Sequence, residues 1–252
     1  MNEITTPEAY YCEQTTTSRI REILTQIEKS LKGNQDRDIV KISLPVNELN
    51  KVGVRNAINA KYDAEIIDSN LFIKFDGGVK ERIHRRISNS CEAQRPEWFT
   101  EINMICMVGN SQLRPDVGIW FRTPTHAQMI EPVADFCPPP DIWIEVFFNR
   151  DPDRSNAIDK IDFIQRTWIG IEFVGICIPH SRNPISPNPH PGSTITSATS
   201  QTIRPYRAPY VIYWDLNGNL IYYIMDWNHN LTLRCGLTID FNIVLAILSA
   251  SY

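Results

Sequence analysis

The sequence has no apolar run near the roughly 18 residues needed to cross a bilayer, so no spanning helix is expected. It has no CxxC pair. Its six cysteines, Cys12, Cys91, Cys106, Cys137, Cys177 and Cys235, lie far apart, which argues against zinc ribbons and redox dithiols. Cys106 and Cys177 fall inside the apolar runs INMICMVG and FVGICIP, where buried, reduced thiols of an intracellular protein are expected. The five histidines show no ligand spacing, so a zinc site is not expected. A basic surplus is also missing. Lys plus Arg number 25 against 29 Asp plus Glu, a net charge of −4. That excludes a large basic field over the whole chain, though not a local basic cluster. The opening MNEITTPEAYYCEQ lacks a basic n-region and an apolar h-region, so no secretory signal is expected. No internal repeat is apparent.

What is present suits one domain of generous size, or a core domain with an appendage: 252 residues, 42% of them hydrophobic. Ile20, Ile23, Leu24, Ile27 and Leu31 recur at helical spacing, with Gly33 as a stop. DIVKISLP reads as a strand, and residues 46–61 as a short helix. YDAEIIDSNLFIKF reads as a hairpin about Asp68-Ser69-Asn70. VKERIHRRISNSCEA sets Val79, Ile83 and Ile87 on one helical stripe, with Lys80, Arg82, Arg85 and Arg86 on the other face. Those four are either solvated or meet nucleic-acid phosphates. Strands are expected over 101–108, 116–121 and 142–148, then a helix through SNAIDKIDFIQRTWIG, then the strand FVGICIP. This order predicts an α/β sheet covered by helices. Residues 180–205 are rich in Pro, Ser and Thr and read as a long mobile loop carrying His180 and His190. A hairpin about Asn217-Gly218 and the apolar FNIVLAIL close the chain.

The segment PPPDIWIEVFFNRDP holds the first chemical signal. From Ile142 to Phe148 only Glu145 is not apolar. Both faces of that strand are greasy, so it reads as central in its sheet. A carboxylate there needs an ion pair, hydrogen bonds or a cation. In LRPDVGIWF, Asp116 opens a second apolar strand behind Pro115, a residue suited to a strand's first position. Two neighbouring strands would present Asp116 and Glu145 side by side. With the backbone carbonyl of Val146 they make a hard-cation site suited to Mg²⁺. Lys160, on the next helix, is the last lysine of the chain and can orient a water or neutralise a phosphate.

RPDVGIWF, PPPDIWIEVFFN, the helix bearing Lys160 and WIGIEFVGICIP together resemble the PD-(D/E)XK nuclease superfamily, and within it the Uma-two group of restriction endonucleases. The hairpin YDAEIIDSNLFIKF is similar to that group's ELIDG hairpin, and LTLRCGLTIDFNIVLAIL to its C-terminal close. The resemblance covers residues 62–252 and leaves residues 1–61 as an N-terminal α/β extension. It implies a central mixed β-sheet flanked by helices, Mg²⁺ (or Mn²⁺) dependence and endonuclease hydrolysis of DNA. It implies Asp116 and Glu145 as metal ligands and Lys160 as the catalytic residue on the base side. Phe147 stands where the strict pattern has lysine. The Uma-two group moves that lysine to the following helix, where Lys160 serves, with Arg166 as its substitute. Glu81 is the first-motif acid, with Glu65 the alternative. Cutting both DNA strands implies a homodimer. Two other readings stay open: a nuclease fold that has lost catalysis and binds nucleic acid or protein, and an interaction module working through residues 180–205.

Overall fold

The structure is a computed structural model that describes residues 7–34, 39–168, 170–178, 210–214, 220–224, 227 and 230–250. The loop expected at 180–205 and the turn at Asn217-Gly218 lie outside them. The chain divides into two compact units, Met1–Phe75 and Asp76–Tyr252.

The first unit contains α1 (Pro7–Lys32), β1 (Ile39–Ser43), α2 (Val46–Leu49), α3 (Val52–Asn59), β2 (Ala64–Ile67) and β3 (Asn70–Lys74). β3 pairs antiparallel with both β1 and β2. The helical stripe of α1 is buried through Ile23 and Ile27, which share a core with Val40, Ile42, Ile58, Ile66, Leu71 and Ile73. The hairpin read as the start of the second domain therefore packs with the extension, and the unit runs to Phe75 rather than to residue 61. The single helix expected over 46–61 is broken at Asn50 and Lys51. Buried Arg55 explains the break: its Nε donates to the Leu49 carbonyl, which an uninterrupted helix would have bonded itself.

The second unit opens with α4 (Gly78–Gln94), β4 (Phe99–Glu101), β5 (Cys106–Val108), β6 (Ser111–Leu113), β7 (Val117–Trp120) and α5 (His126–Ile130). β8 (Ile142–Phe148), α6 (Asp153–Thr167), β9 (Glu172–Ile178), β10 (Tyr210–Trp214) and β11 (Leu220–Ile224) follow, then β12 (Asn230–Thr232), β13 (Thr238–Asp240) and α7 (Phe241–Ala250). Its main sheet has the order β11-β10-β9-β8-β7-β4. β8 and β9 run parallel, joined through α6, and the other pairs are antiparallel. This is a mixed α/β architecture with a central mixed sheet flanked by helices.

β8 is central, as its two apolar faces require. Ile142, Ile144 and Val146 join Val117, Ile119, Val174 and Ile176 in one core with Ile83 and Ile87 of α4 and Val244 and Leu248 of α7. Each such side chain contributes about 1.5–3 kcal/mol when fully buried. The opposite face carries Trp143, Glu145 and Phe147, with the Trp143 and Phe173 rings 6.1 Å apart. Gly118 of β7 lies opposite Trp143. A Cβ there would stand 2.6 Å from the Trp120 ring and 2.9 Å from Pro115, so only glycine fits.

Two expectations fail in this unit. The strand expected over 101–108 is two strands, because Asn103 turns left-handed (φ 54°) and its N–H bonds the Pro115 carbonyl. Helix α5 was not foreseen, although Thr125 and Gln128 form a complete capping box at its start.

Candidate functional site

Glu145 is 2% exposed. Its Oε1 accepts the indole N–H of Trp143 at 2.6 Å, two residues back on the same face, and is ion-paired to the ammonium of Lys160. Lys160 is 3% exposed and also donates to the Arg114 carbonyl at 2.9 Å. That bond ties α6 to the segment Arg114-Pro115-Asp116. Of the substitutes open in sequence, the ammonium facing Glu145 is that of Lys160, whereas Arg166 lies in the last turn of α6.

Asp116 is 1% exposed. The β7–β8 ladder ends at Val117↔Ile144, and the next step of that register sets Asp116 opposite Glu145. Its Oδ2 takes the N–H of Val146 at 2.7 Å, in place of a strand partner. Asp116 is therefore bonded to the residue beside Glu145. Its carboxylate also lies 3.5 Å from Nε2 of His84, on α4.

His84 is 0% exposed, and neither ring nitrogen has a hydrogen-bond partner. Leaving such a group unsatisfied costs on the order of 1–3 kcal/mol, so a buried imidazole in this condition requires an explanation. Beside it stand Glu81, one helical turn earlier, and Asp76, just before the helix. Ligand atoms of Asp76, Glu81 and His84 lie within 4.8 Å of one another. Glu81, the expected first-motif acid, is thus grouped with a histidine that stands against Asp116. Glu65, the alternative, belongs to the first unit and is ion-paired to Lys74 at 3.2 Å.

The basic stripe of α4 is corrected in one position. Lys80 is not turned to solvent as a phosphate contact requires: it is 6% exposed, with its ammonium 2.7 Å from Asp76 and 3.3 Å from Asp153. Asp153 in turn accepts the N–H of Phe148 at 2.8 Å. Arg82, Arg85 and Arg86 are exposed. Arg82 and Arg86 line a groove of about 440 Å³ between α4 and α7, with Asn89 and Ile243. Residues 76–252 contain only two lysines, Lys80 and Lys160, and both are buried against carboxylates.

Sequence reasoning missed His84 and Asp76, and read Asp153 as a capping or solvated acid at the helix entry, where the structure has it buried and accepting the Phe148 N–H. Lys80, His84, Ser88 and Cys91 form a second buried stripe beside Ile83 and Ile87, so α4 buries a wider face than its apolar residues declare. One signal was available. Glu81-Arg82-Ile83-His84 places a carboxylate and an imidazole three residues apart, on one helical face.

The cation implied by this chemistry fits the residues present. Carboxylate oxygens of half-buried Asp76 and Glu81 and an unsatisfied nitrogen of buried His84 converge, which is a donor set that divalent metals use. Fold and site together define a mixed α/β domain whose central strand and flanking helices enclose an acid, lysine and histidine centre.

No family model and no curated protein matches the chain. Among solved structures it is similar to a crystal structure described as "a putative nuclease belonging to DUF820" from Anabaena variabilis. The TM-score is 0.48 at 11% identity, covering 73% of this chain and 90% of the other.

Proposed function

We propose that the second unit is a divalent-metal-dependent hydrolase of DNA phosphodiester bonds, an endonuclease of the PD-(D/E)XK type. The observation that carries this reading is the contact chain about β8. Lys160 pairs with Glu145 and bonds the Arg114 carbonyl, and Asp116, two residues on, bonds the N–H beside Glu145. An acid on each of two paired strands and a lysine from the crossover helix are thus linked through adjacent backbone positions, although they are far apart in sequence.

Asp116, Glu145 and the Val146 carbonyl would hold Mg²⁺ or Mn²⁺. The bound cation would supply a more acidic attacking water and offset charge on the scissile phosphate. The chain's own part is positional. Lys160 is held by the Arg114 carbonyl in reach of Glu145, so its ammonium would be placed to hold the attacking water or a phosphate oxygen. Exposed Arg82, Arg85 and Arg86 supply phosphate contacts that position DNA without reading its sequence.

Burial favours a second reading. Asp116, Glu145 and Lys160 are 1%, 2% and 3% exposed, so a phosphate reaches them only if the site opens. In that reading the unit is a nuclease fold that binds nucleic acid without cutting it. Supercoiled plasmid incubated with Mg²⁺ or Mn²⁺ separates the two. Nicking by wild type that is lost in Glu145→Ala supports hydrolysis. Retardation of the plasmid in a gel, with neither metal yielding a cut, leaves only the binding reading.

A further inference from the structure

We infer that His84 is a metal ligand of this centre, acting with Glu81 and Asp76, and that the cation it takes is a first-row transition ion, Mn²⁺ in preference to Mg²⁺. The inference deepens the metal-dependent reading above and rests on its metal, not on its hydrolysis.

The first support is the state of the imidazole. His84 is wholly buried with both nitrogens unsatisfied, whereas among the described residues only single atoms of Thr100 and Arg154 share that condition and the charged groups beside His84 are paired. Lys80 has two carboxylates, Lys160 a carboxylate and a carbonyl, and Asp116 a backbone N–H. A ring nitrogen that accepts nothing and donates nothing has the character of a ligand awaiting its ion. The second support is location. The donor atoms of Glu81 and Asp76 lie within 4.8 Å of that ring and of each other, a span one cation can bridge after small side-chain rotations.

The third support is orientation. Asp116 Oδ2 stands 3.5 Å from Nε2. At that distance Asp116 is not hydrogen-bonded to the ring, but a carboxylate facing one ring nitrogen is placed to orient a metal-bound histidine once the ring turns towards it. Asp116 itself is held by the Val146 N–H, so strand β8 sets the position of the helix ligand.

The donor set decides the metal. Oxygen-only sites suit Mg²⁺, which binds imidazole poorly, whereas one imidazole with two carboxylates suits Mn²⁺ and its transition-series neighbours. The first-motif position is then a carboxylate and imidazole pair rather than Glu81 alone.

The test uses the untagged full-length protein and Mn²⁺ as the probe. Electron paramagnetic resonance counts bound Mn²⁺, and electron spin-echo modulation in an amine-free buffer reads the ¹⁴N coupling that a ligating imidazole produces. The expected result is ¹⁴N coupling in wild type that disappears in His84→Leu, with affinity lower by on the order of tenfold or more. If His84→Leu does not fold, Glu81→Gln is the second variant: it should keep the ¹⁴N coupling and bind Mn²⁺ more weakly by a similar factor. Mn²⁺ bound without ¹⁴N coupling, at an affinity that Glu81→Gln does not change, overturns the His84 assignment and leaves an Asp116 and Glu145 metal site standing. Absence of Mn²⁺ binding, with and without DNA, overturns both.

Discussion

Replacing Lys160 by Met keeps most of the aliphatic stem and removes the ammonium. Glu145 would then be a buried carboxylate holding the Trp143 indole N–H but no longer paired to Lys160. Removing one partner of a buried ion pair costs about 3–5 kcal/mol, because the remaining charge is stranded away from water. Both side chains of this pair are 3% exposed, so screening by solvent does not discount the figure. For a unit of this size the loss corresponds to a fall in Tm of roughly 6–20 °C. Glu145→Gln tests the same contact from the other side, since the amide still accepts the indole N–H. The double variant Lys160→Met, Glu145→Gln strands no charge and should recover about 2 kcal/mol or more of the loss seen in Lys160→Met.

All six tryptophans lie beyond Phe75, so intrinsic fluorescence during urea unfolding reports the second unit alone. The reasoning fails if Lys160→Met unfolds within about 0.5 kcal/mol of wild type, or if the two substitutions simply add, since non-interacting sites add. Either result would mean that Lys160 does not neutralise Glu145, and the chain of bonds at β8 would be without its central link.

Burial pushes the Cys91 thiol up to about 12 and Cys137 up to about 11, so both should resist thiol reagents near pH 8 when folded and react in urea, as read by peptide mass mapping. A thiol whose folded value is raised favours the fold below its unfolded value, near 8.5, and that contribution is lost as pH climbs towards 11–12. Unfolding free energy should therefore decline above about pH 9; a flat profile to pH 11 would contradict the burial of these groups. Charge reversal at Arg82, Arg85 and Arg86 should weaken DNA binding at low salt and flatten its salt dependence by about 0.9 in slope for each phosphate no longer neutralised. The same reversal should leave the fluorescence-monitored stability within about 0.5 kcal/mol, as expected for exposed positions.

Much of the second unit was legible in the chain. Ile142–Phe148 forms the strand expected of it, because an apolar run with one charged interruption can only be buried on both faces. The α6 periodicity and the β8–α6–β9 order are local patterns, and local patterns survive folding. The break at Asn50, the turn at Asn103 and the unit boundary at Phe75 were not legible. Each depends on a partner elsewhere in the chain: the Leu49 carbonyl for Arg55, the Pro115 carbonyl for Asn103, and the α1 core for the hairpin.

Side-chain chemistry divides the same way. A carboxylate inside a greasy strand announces that something must neutralise it, since charge and apolar surroundings are both written in residue types. The neutralising group is not written there. Lys80 and Lys160 look alike in sequence, as lysines on helices beside acids. Packing sends Lys160 to Glu145 and Lys80 to Asp76 and Asp153, because α6 and α4 set which face of each helix is buried. His84 shows the same limit. Its residue type and its spacing from Glu81 belong to the sequence, whereas its exclusion from water, its empty nitrogens and its place against Asp116 exist only once α4 has closed over the sheet.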